Sequence, residues 1–105
     1  MDDLIYLNRV FLQGKVLSSP TLKDLSSRTK VTSFLLSTRE SWTNEAGQSR
    51  ERFNLIGVEV VGKDAETVAA NAAPGSRVTL EGYIRTDEVK GVHVTKVRTL
   101  SIHIW

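Results

Sequence analysis

Five long stretches of this chain carry strand-like text, and a single alanine-rich stretch interrupts them between the third and the fourth. The clearest is Lys30 to Trp42, where Thr32, Phe34, Leu36 and Thr38 fall on one face and Val31, Ser33, Leu35, Ser37 and Arg39 on the other. A two-residue period sends successive side chains to opposite faces, so such a strand buries one face only, and Phe34 and Leu36 are assigned to the core. Leu4 to Leu17 reads as a long first strand with Gly14 as a bulge or bend, ended by Ser18-Ser19-Pro20, and Phe11 is expected in the core. A polar connection through Asp24, Ser26, Ser27 and Arg28 follows.

Arg50 to Val61 returns as the third strand after the polar turn Thr43 to Gln48, giving a long hairpin with a mobile tip. In Asp64 to Ala73 alanine dominates, and Ala65, Val68, Ala69 and Ala72 recur at helical spacing. Asp64 is expected to cap this helix, Glu66 to complement its dipole, and Pro74-Gly75 to stop it. Ser76 to Thr86 sets Val78, Leu80 and Ile84 against Thr79, Glu81, Tyr83 and Arg85, with Gly82 on the core side where the strand bends. Asp87 to Gly91 reads as a polar turn. Val92 to Ile104 reads as the fifth strand, with a slip in its alternation near Thr95 to Thr99. An all-β chain with one helix between strands 3 and 4 has the element order of the five-stranded oligonucleotide-binding barrel, or OB-fold. The 105 residues suffice for one such domain, spanning residues 1–105.

Composition removes whole classes of function. With no cysteine there is no disulfide framework, thiolate metal site or cysteine nucleophile. His93 and His103 are isolated in a strand and suggest no metal site, and no nucleophile elbow, phosphate loop or metal-binding helix frames a catalytic group. The reading is therefore a protein without cofactor or enzymatic activity. The acidic start Met1-Asp2-Asp3 and the lack of an apolar run of about 20 residues suggest neither secretion nor a membrane span, and hence a cytoplasmic protein. A formal charge of +2 becomes useful to an anionic partner only where the cations are concentrated.

Asn8 to Gly14, Ser19-Pro20, and Val31 to Trp42 ending in Arg39-Glu40-Ser41-Trp42 resemble the first two strands of bacterial single-stranded DNA-binding proteins. Gly62-Lys63-Asp64-Ala65-Glu66, followed by Pro74 to Thr86, is similar to that family's later text, and the resemblance runs over about residues 8–104. It implies binding of single-stranded DNA in replication, repair or recombination, and a homo-oligomer. Three features depart from the family's pattern. Phe53-Asn54 lies two residues further from Gly62-Lys63, the turn after the fourth strand is shorter with Val89 near the place of a stacking aromatic, and no linker or acidic tail follows Trp105. These features resemble the related tailless, dimeric primosomal replication protein N group, which would imply replication-restart proteins as partners. The chain is thus expected to be a dimer or a tetramer.

A single strand offers flat base faces and a charged backbone, so a binder without sequence preference interleaves aromatics with cations. Trp42, Phe53 and Tyr83 are the candidate platforms, with Arg39, Arg50, Arg52 and Arg85 beside them and Lys15, Lys63 and Lys90 as further backbone contacts. Trp42 ranks first among them. Its other plausible roles are capping the barrel end or sitting in a subunit interface. Arg50 and Arg52 beside Glu45 and Glu51 also fit a solvated cross-strand charge pattern, and Trp105 reads as a terminal packing residue.

Overall fold

The computed structural model describes residues 6–105. Leu4 and Ile5, counted in the first strand above, lie outside the described residues. The elements in chain order are β1 (Val10–Val16), β2 (Thr21–Asp24), β3 (Lys30–Thr43), β4 (Ser49–Val61), α1 (Lys63–Asn71), β5 (Arg77–Val89) and β6 (Val92–Ile104). Neighbouring strands follow the order β1-β5-β6-β4-β3, and pairing of β1 with β3 closes this series into a five-stranded barrel. The short β2 lies outside it, on the opening residues of β3. The helix sits between the third and fourth barrel strands, the expected place.

Closure depends on bare backbone at two crossings. A Cβ on Gly14 would land on the Ser37 carbonyl where β1 meets β3, and one on Gly82 would land on the Arg98 carbonyl. Glycine at these points lets the strands approach as the sheet curls. At Gly82 the β5–β6 register also slips. Glu81 pairs with Ser101 and Gly82 with Thr99, which leaves Leu100 as the extra residue of a bulge. The bulge reverses the alternation of β6, so Val97 faces the core before it and Ile102 and Ile104 face the core after it. This is the slip the sequence announced, a little further along the chain.

Phe34 and Leu36 are buried with Val16, Val58, Val60, Val78 and Leu80, and removing side chains of this size from water contributes about 2 kcal/mol each. Helix α1 adds Ala65, Val68 and Ala72 to the same core. It is tied to β3 through Thr32, the one buried polar residue among those described, whose hydroxyl donates to the Ala65 carbonyl.

Four expectations are corrected. Phe11 is 73% exposed, because Val10, Leu12 and Val16 are the side chains of β1 that turn inward. Asp64 does not cap the helix: Gly62 holds that position with no side-chain hydrogen bond, and Asp64 lies within the first turn. Ile84 is 47% exposed because β5 runs past the end of the barrel there. The five-residue turn assigned to Asp87–Gly91 is a two-residue turn, Lys90-Gly91, with Val89 facing Val92 across the hairpin. Both turn residues have positive φ, 52° and 78°, the combination that matches strand twist in a tight hairpin. β2 was not anticipated and falls in the segment read as a polar connection.

Two hairpins project from the barrel. β3 and β4 remain paired from Val31–Val61 out to Thr43–Ser49, and β5 and β6 out to Val89–Val92. Since β4 and β6 run parallel where they touch, at Val58–Val97 and Glu59–Arg98, both hairpins leave from the same end, opposite the end where α1 follows β4. These arms raise the radius of gyration to 16.2 Å, against roughly 13 Å for a compact chain of this length.

Candidate nucleic-acid interface

Register decides which candidate residues meet. Along the first arm Trp42 faces Arg50, Glu40 faces Arg52 and Arg39 faces Phe53. Directly opposed residues share a face and neighbours in sequence do not, so Trp42, Arg50 and Arg52 occupy one face of the ribbon and Arg39 and Phe53 the other. The two aromatics therefore make separate platforms. Trp42 is 46% exposed and Phe53 57%, which leaves each ring able to take a base on one side.

The tip of the arm, just beyond Trp42, is closed by side-chain hydrogen bonds. At its tip the Asn44 side-chain carbonyl accepts hydrogen bonds from the backbone N–H groups of Ala46 (3.0 Å) and Gln48 (2.9 Å), and Asn44 Nδ2 donates to Gln48 Oε1 (3.0 Å). Arg50 donates to the same Gln48 oxygen at 3.0 Å. The tip read from sequence as mobile is thus closed by side-chain bonds on both strands. On the other face Arg39 Nε lies 3.0 Å from Glu51 Oε2, so part of its charge is already compensated.

Below Phe53 the surface sinks into a notch of about 430 Å³ at the closure of the barrel. Lys15, Arg39, Arg77 and Phe53 line it around Gly14, and no carboxylate does. Lys15 and Arg77 are in no ion pair among the described residues. The sequence reading placed Lys15, Arg39 and Phe53 in the site but missed Arg77. It sits opposite Lys15 in the β1–β5 register, a relation only the barrel topology supplies.

A second concavity, of about 420 Å³, opens between the roots of the two arms. Its walls are Ser18, Ser19 and Thr21 on one side and Val94, Thr95 and Lys96 on the other, with Leu35 and Gly57 between them. Gly57 was the available signal, since a glycine inside a strand marks a place where something approaches the backbone closely. Sequence reasoning assigned none of these residues to a binding site. Leu35 and Leu55 on this outward surface are 40% and 59% exposed.

On the outer face of the second arm the charges form a chain. Arg85 Nε is 3.1 Å from Asp87 Oδ1, Lys96 Nζ is 2.7 Å from Asp87 Oδ2 and 2.8 Å from Glu59 Oε2, and Arg98 reaches Glu59 Oε1 at 3.1 Å. Lys96 first and Arg85 second hold the Asp87 carboxyl below its ordinary range. Asp87, then Glu59, pushes the Lys96 ammonium up. Tyr83 stands half-buried opposite Arg98. Glu81, which shares its face, is paired with Arg9 at 3.6 Å. Arg85 is therefore a candidate contact already engaged by a carboxylate.

Two candidates stand apart from these surfaces. Lys63 opens α1 at the far end of β4, about 35 Å along the strand from Arg50. Lys90 is at the tip of the second arm. Trp105 packs its ring edge-on against His103 with centroids 4.5 Å apart, and its indole N–H donates to Thr79 Oγ1 at 2.9 Å, which agrees with a terminal packing role. Among the described residues no group of three or more His, Asp and Glu side chains could hold a metal ion, and no helix is long and apolar enough to cross a membrane.

Comparison with known proteins places this architecture. The model of the Single-strand binding protein family matches residues 7–104. The Single-stranded DNA-binding protein of Aquifex aeolicus (strain VF5) is 30% identical over 100 residues, covering 93% of this chain and 68% of that protein. A deletion mutant of the single-stranded DNA binding protein from Thermus aquaticus superposes with a TM-score of 0.85 at 23% identity, over 94% of this chain and 50% of that one, so the chain spans half the length of that relative. The Plasmodium falciparum SSB, solved in complex with ssDNA, superposes with a TM-score of 0.83 at 21% identity over 99% of both chains. At these identities the two structures attest the fold.

Proposed function

This chain belongs to the single-strand binding protein family, and on that premise we infer that it binds single-stranded DNA with little sequence preference, serving replication, repair or recombination. The carrying observation is the family match across residues 7–104, which takes in the whole barrel. The surface supports it: exposed rings on both faces of the first arm can stack on any base, and a carboxylate-free notch with Lys15, Arg39 and Arg77 can take backbone phosphates. The protein acts by binding, without a catalytic step, a cofactor or a metal.

A homo-oligomer, dimer or tetramer, is part of the proposal. Residues 10–14 of β1 pair with β5 on one side and, among the described residues, with no strand on the other, and Phe11 at 73% and Trp105 at 68% exposure lie on the outside of the barrel. An open edge beside large exposed apolar side chains is a surface that pairs with another chain. Equilibrium sedimentation returning only monomers would exclude this part.

Titration with oligothymidylate and with the matching RNA, followed by tryptophan fluorescence and gel mobility at two salt concentrations, tests the function. The expected result is quenching that weakens steeply with salt. Neither quenching nor a mobility shift at low salt would overturn it. The two-residue Lys90-Gly91 turn offers little binding surface, which favours a share of protein contacts with replication-restart factors. A pull-down that retains such a factor while DNA affinity is unmeasurable would make that share the main activity.

A further inference from the structure

The charge chain on the second arm is graded in exposure. Glu59, Arg98 and Lys96 are 15–20% exposed at the side chain, Asp87 30% and Arg85 44%. The inner end, Glu59 with Arg98 and Lys96, joins β4 to β6 at the only two residue pairs where those strands meet, so it has a structural task. The outer end has none of that kind. Arg85 and Asp87 are neighbours on one strand, and Asp87 and Lys96 lie on strands already joined by a continuous ladder. Neither contact holds together elements that would otherwise part. What the Asp87 carboxylate does is occupy the guanidinium of Arg85 and the ammonium of Lys96 together, one with each oxygen.

A phosphate of a nucleic-acid backbone presents the same arrangement of anionic oxygens to a guanidinium and an ammonium. Lys96 also lines the concavity between the arms, which puts this pair beside an open surface. We propose that Asp87 is a built-in competitor for backbone phosphate: it covers the Arg85–Lys96 pair in the free protein and gives it up to a phosphate when single-stranded DNA binds. The proposal rests on the DNA-binding reading above and goes beyond it, assigning an acidic residue to the control of affinity. The patch of Arg85, Lys96 and Arg98 against Asp87 and Glu59 carries a net +1. Its two carboxylates limit how tightly one contact can hold and so favour exchange along the strand.

Asp87→Asn tests this, because it removes the charge and keeps the side-chain shape. When the wild type binds, the displaced carboxylate takes up a cation and offsets the one that its phosphate releases; Asp87→Asn removes that uptake, which steepens the plot of log affinity against log salt by about 0.7 and is worth roughly fivefold at 0.1 M salt. Asp87→Asn should therefore bind oligothymidylate about fivefold tighter, with the steeper slope, and adding Arg85→Ala should remove the gain. Glu88→Gln is the control. It changes the net charge equally, from a neighbouring residue that is in no ion pair among those described. Equal gains in both variants, or no gain in Asp87→Asn while the wild type binds, would overturn the proposal. Failure of the wild type and of Asp87→Asn to bind at low salt would overturn the DNA-binding reading with it, whereas binding by Asp87→Asn alone would leave the competitor role standing.

Discussion

Trp42→Ala separates recognition by stacking from every structural role the residue could have. The ring lies next to the end of β3, opposite Arg50, far along the ribbon from Phe34 and Leu36 in the core, and 46% of the residue is open to solvent. One face can accept a base, and a base–aromatic stack is worth about 1–3 kcal/mol. A single-sided stack on a partly covered ring belongs near the middle of that range, about 2 kcal/mol, or roughly 30-fold in affinity. Because the lost group is uncharged, the salt slope should not move. Fluorescence anisotropy of a labelled oligothymidylate long enough to wrap the arm, read across a salt series, measures both quantities. A Trp105→Phe background leaves Trp42 as the only tryptophan for a parallel quenching experiment. The melting temperature should hold, since the core cluster includes no residue of the arm tip; a capping role would lower it. Lys63→Ala should change affinity little, because Lys63 starts the helix at the opposite end of β4. Trp42→Ala binding within twofold of wild type, or Lys63→Ala binding less tightly than Trp42→Ala, would refute the reasoning.

Other consequences concern stability. Gly14→Ala drives a methyl into the Ser37 carbonyl at the barrel closure, and a loss of about 3 kcal/mol should appear as a lower midpoint in urea, where an unchanged midpoint would mean that the crossing relaxes freely. Lys90→Gly relieves a left-handed backbone at φ 52° in the two-residue turn and should raise the melting temperature by an amount corresponding to about 1 kcal/mol, roughly 4–8 °C, as read by calorimetry. Asp87 is held below the ordinary carboxylate range, so its pairing contributes stability above pH 3.8 that fades as pH falls through the lowered value; Asp87→Asn should lower stability at neutral pH, flatten the acid limb of stability against pH, and weaken the alkaline fall that the raised Lys96 brings.

Much of the barrel was legible because its strands are amphipathic where they curl around the core. In β3 the buried Thr32, Phe34 and Leu36 alternate with more exposed neighbours, so both face and position could be read from the residues. The helix stood out by composition. β2 was invisible for a physical reason: all four of its residues are exposed, so no period marks it, and it exists only because the start of β3 offers an unpaired edge. Phe11 was misplaced because Val10, Phe11 and Leu12 are all apolar, and three apolar residues in succession do not say which parity faces inward. The barrel answers that through the β1–β5 pairing, information that lies seventy residues away along the chain, at Glu81.

The candidate site was legible as a set of residue types but not as an arrangement, and the difference comes down to one integer. Paired positions on the first arm sum to 92, as in Trp42 with Arg50 and Arg39 with Phe53, so an even-numbered residue always faces an even-numbered one. Trp42 and Phe53 therefore lie on opposite faces. A turn one residue longer or shorter would change that sum and put them together as a single platform. The turn that sets the sum is fixed by Asn44 and Gln48, two residues whose composition says only that the chain reverses there. With two platforms back to back by register, a strand lying along one face reaches the notch of Lys15, Arg39 and Arg77 by way of Phe53, while Trp42 serves a segment on the other face. Losses from Trp42→Ala and Phe53→Ala should then be additive on an oligonucleotide long enough to wrap the arm. On one too short to do so, each substitution alone should cost little, because the strand moves to the remaining platform, and the double variant should cost far more than the sum. Equal additivity at both lengths would mean that one continuous segment contacts both rings, and the back-to-back arrangement would be wrong.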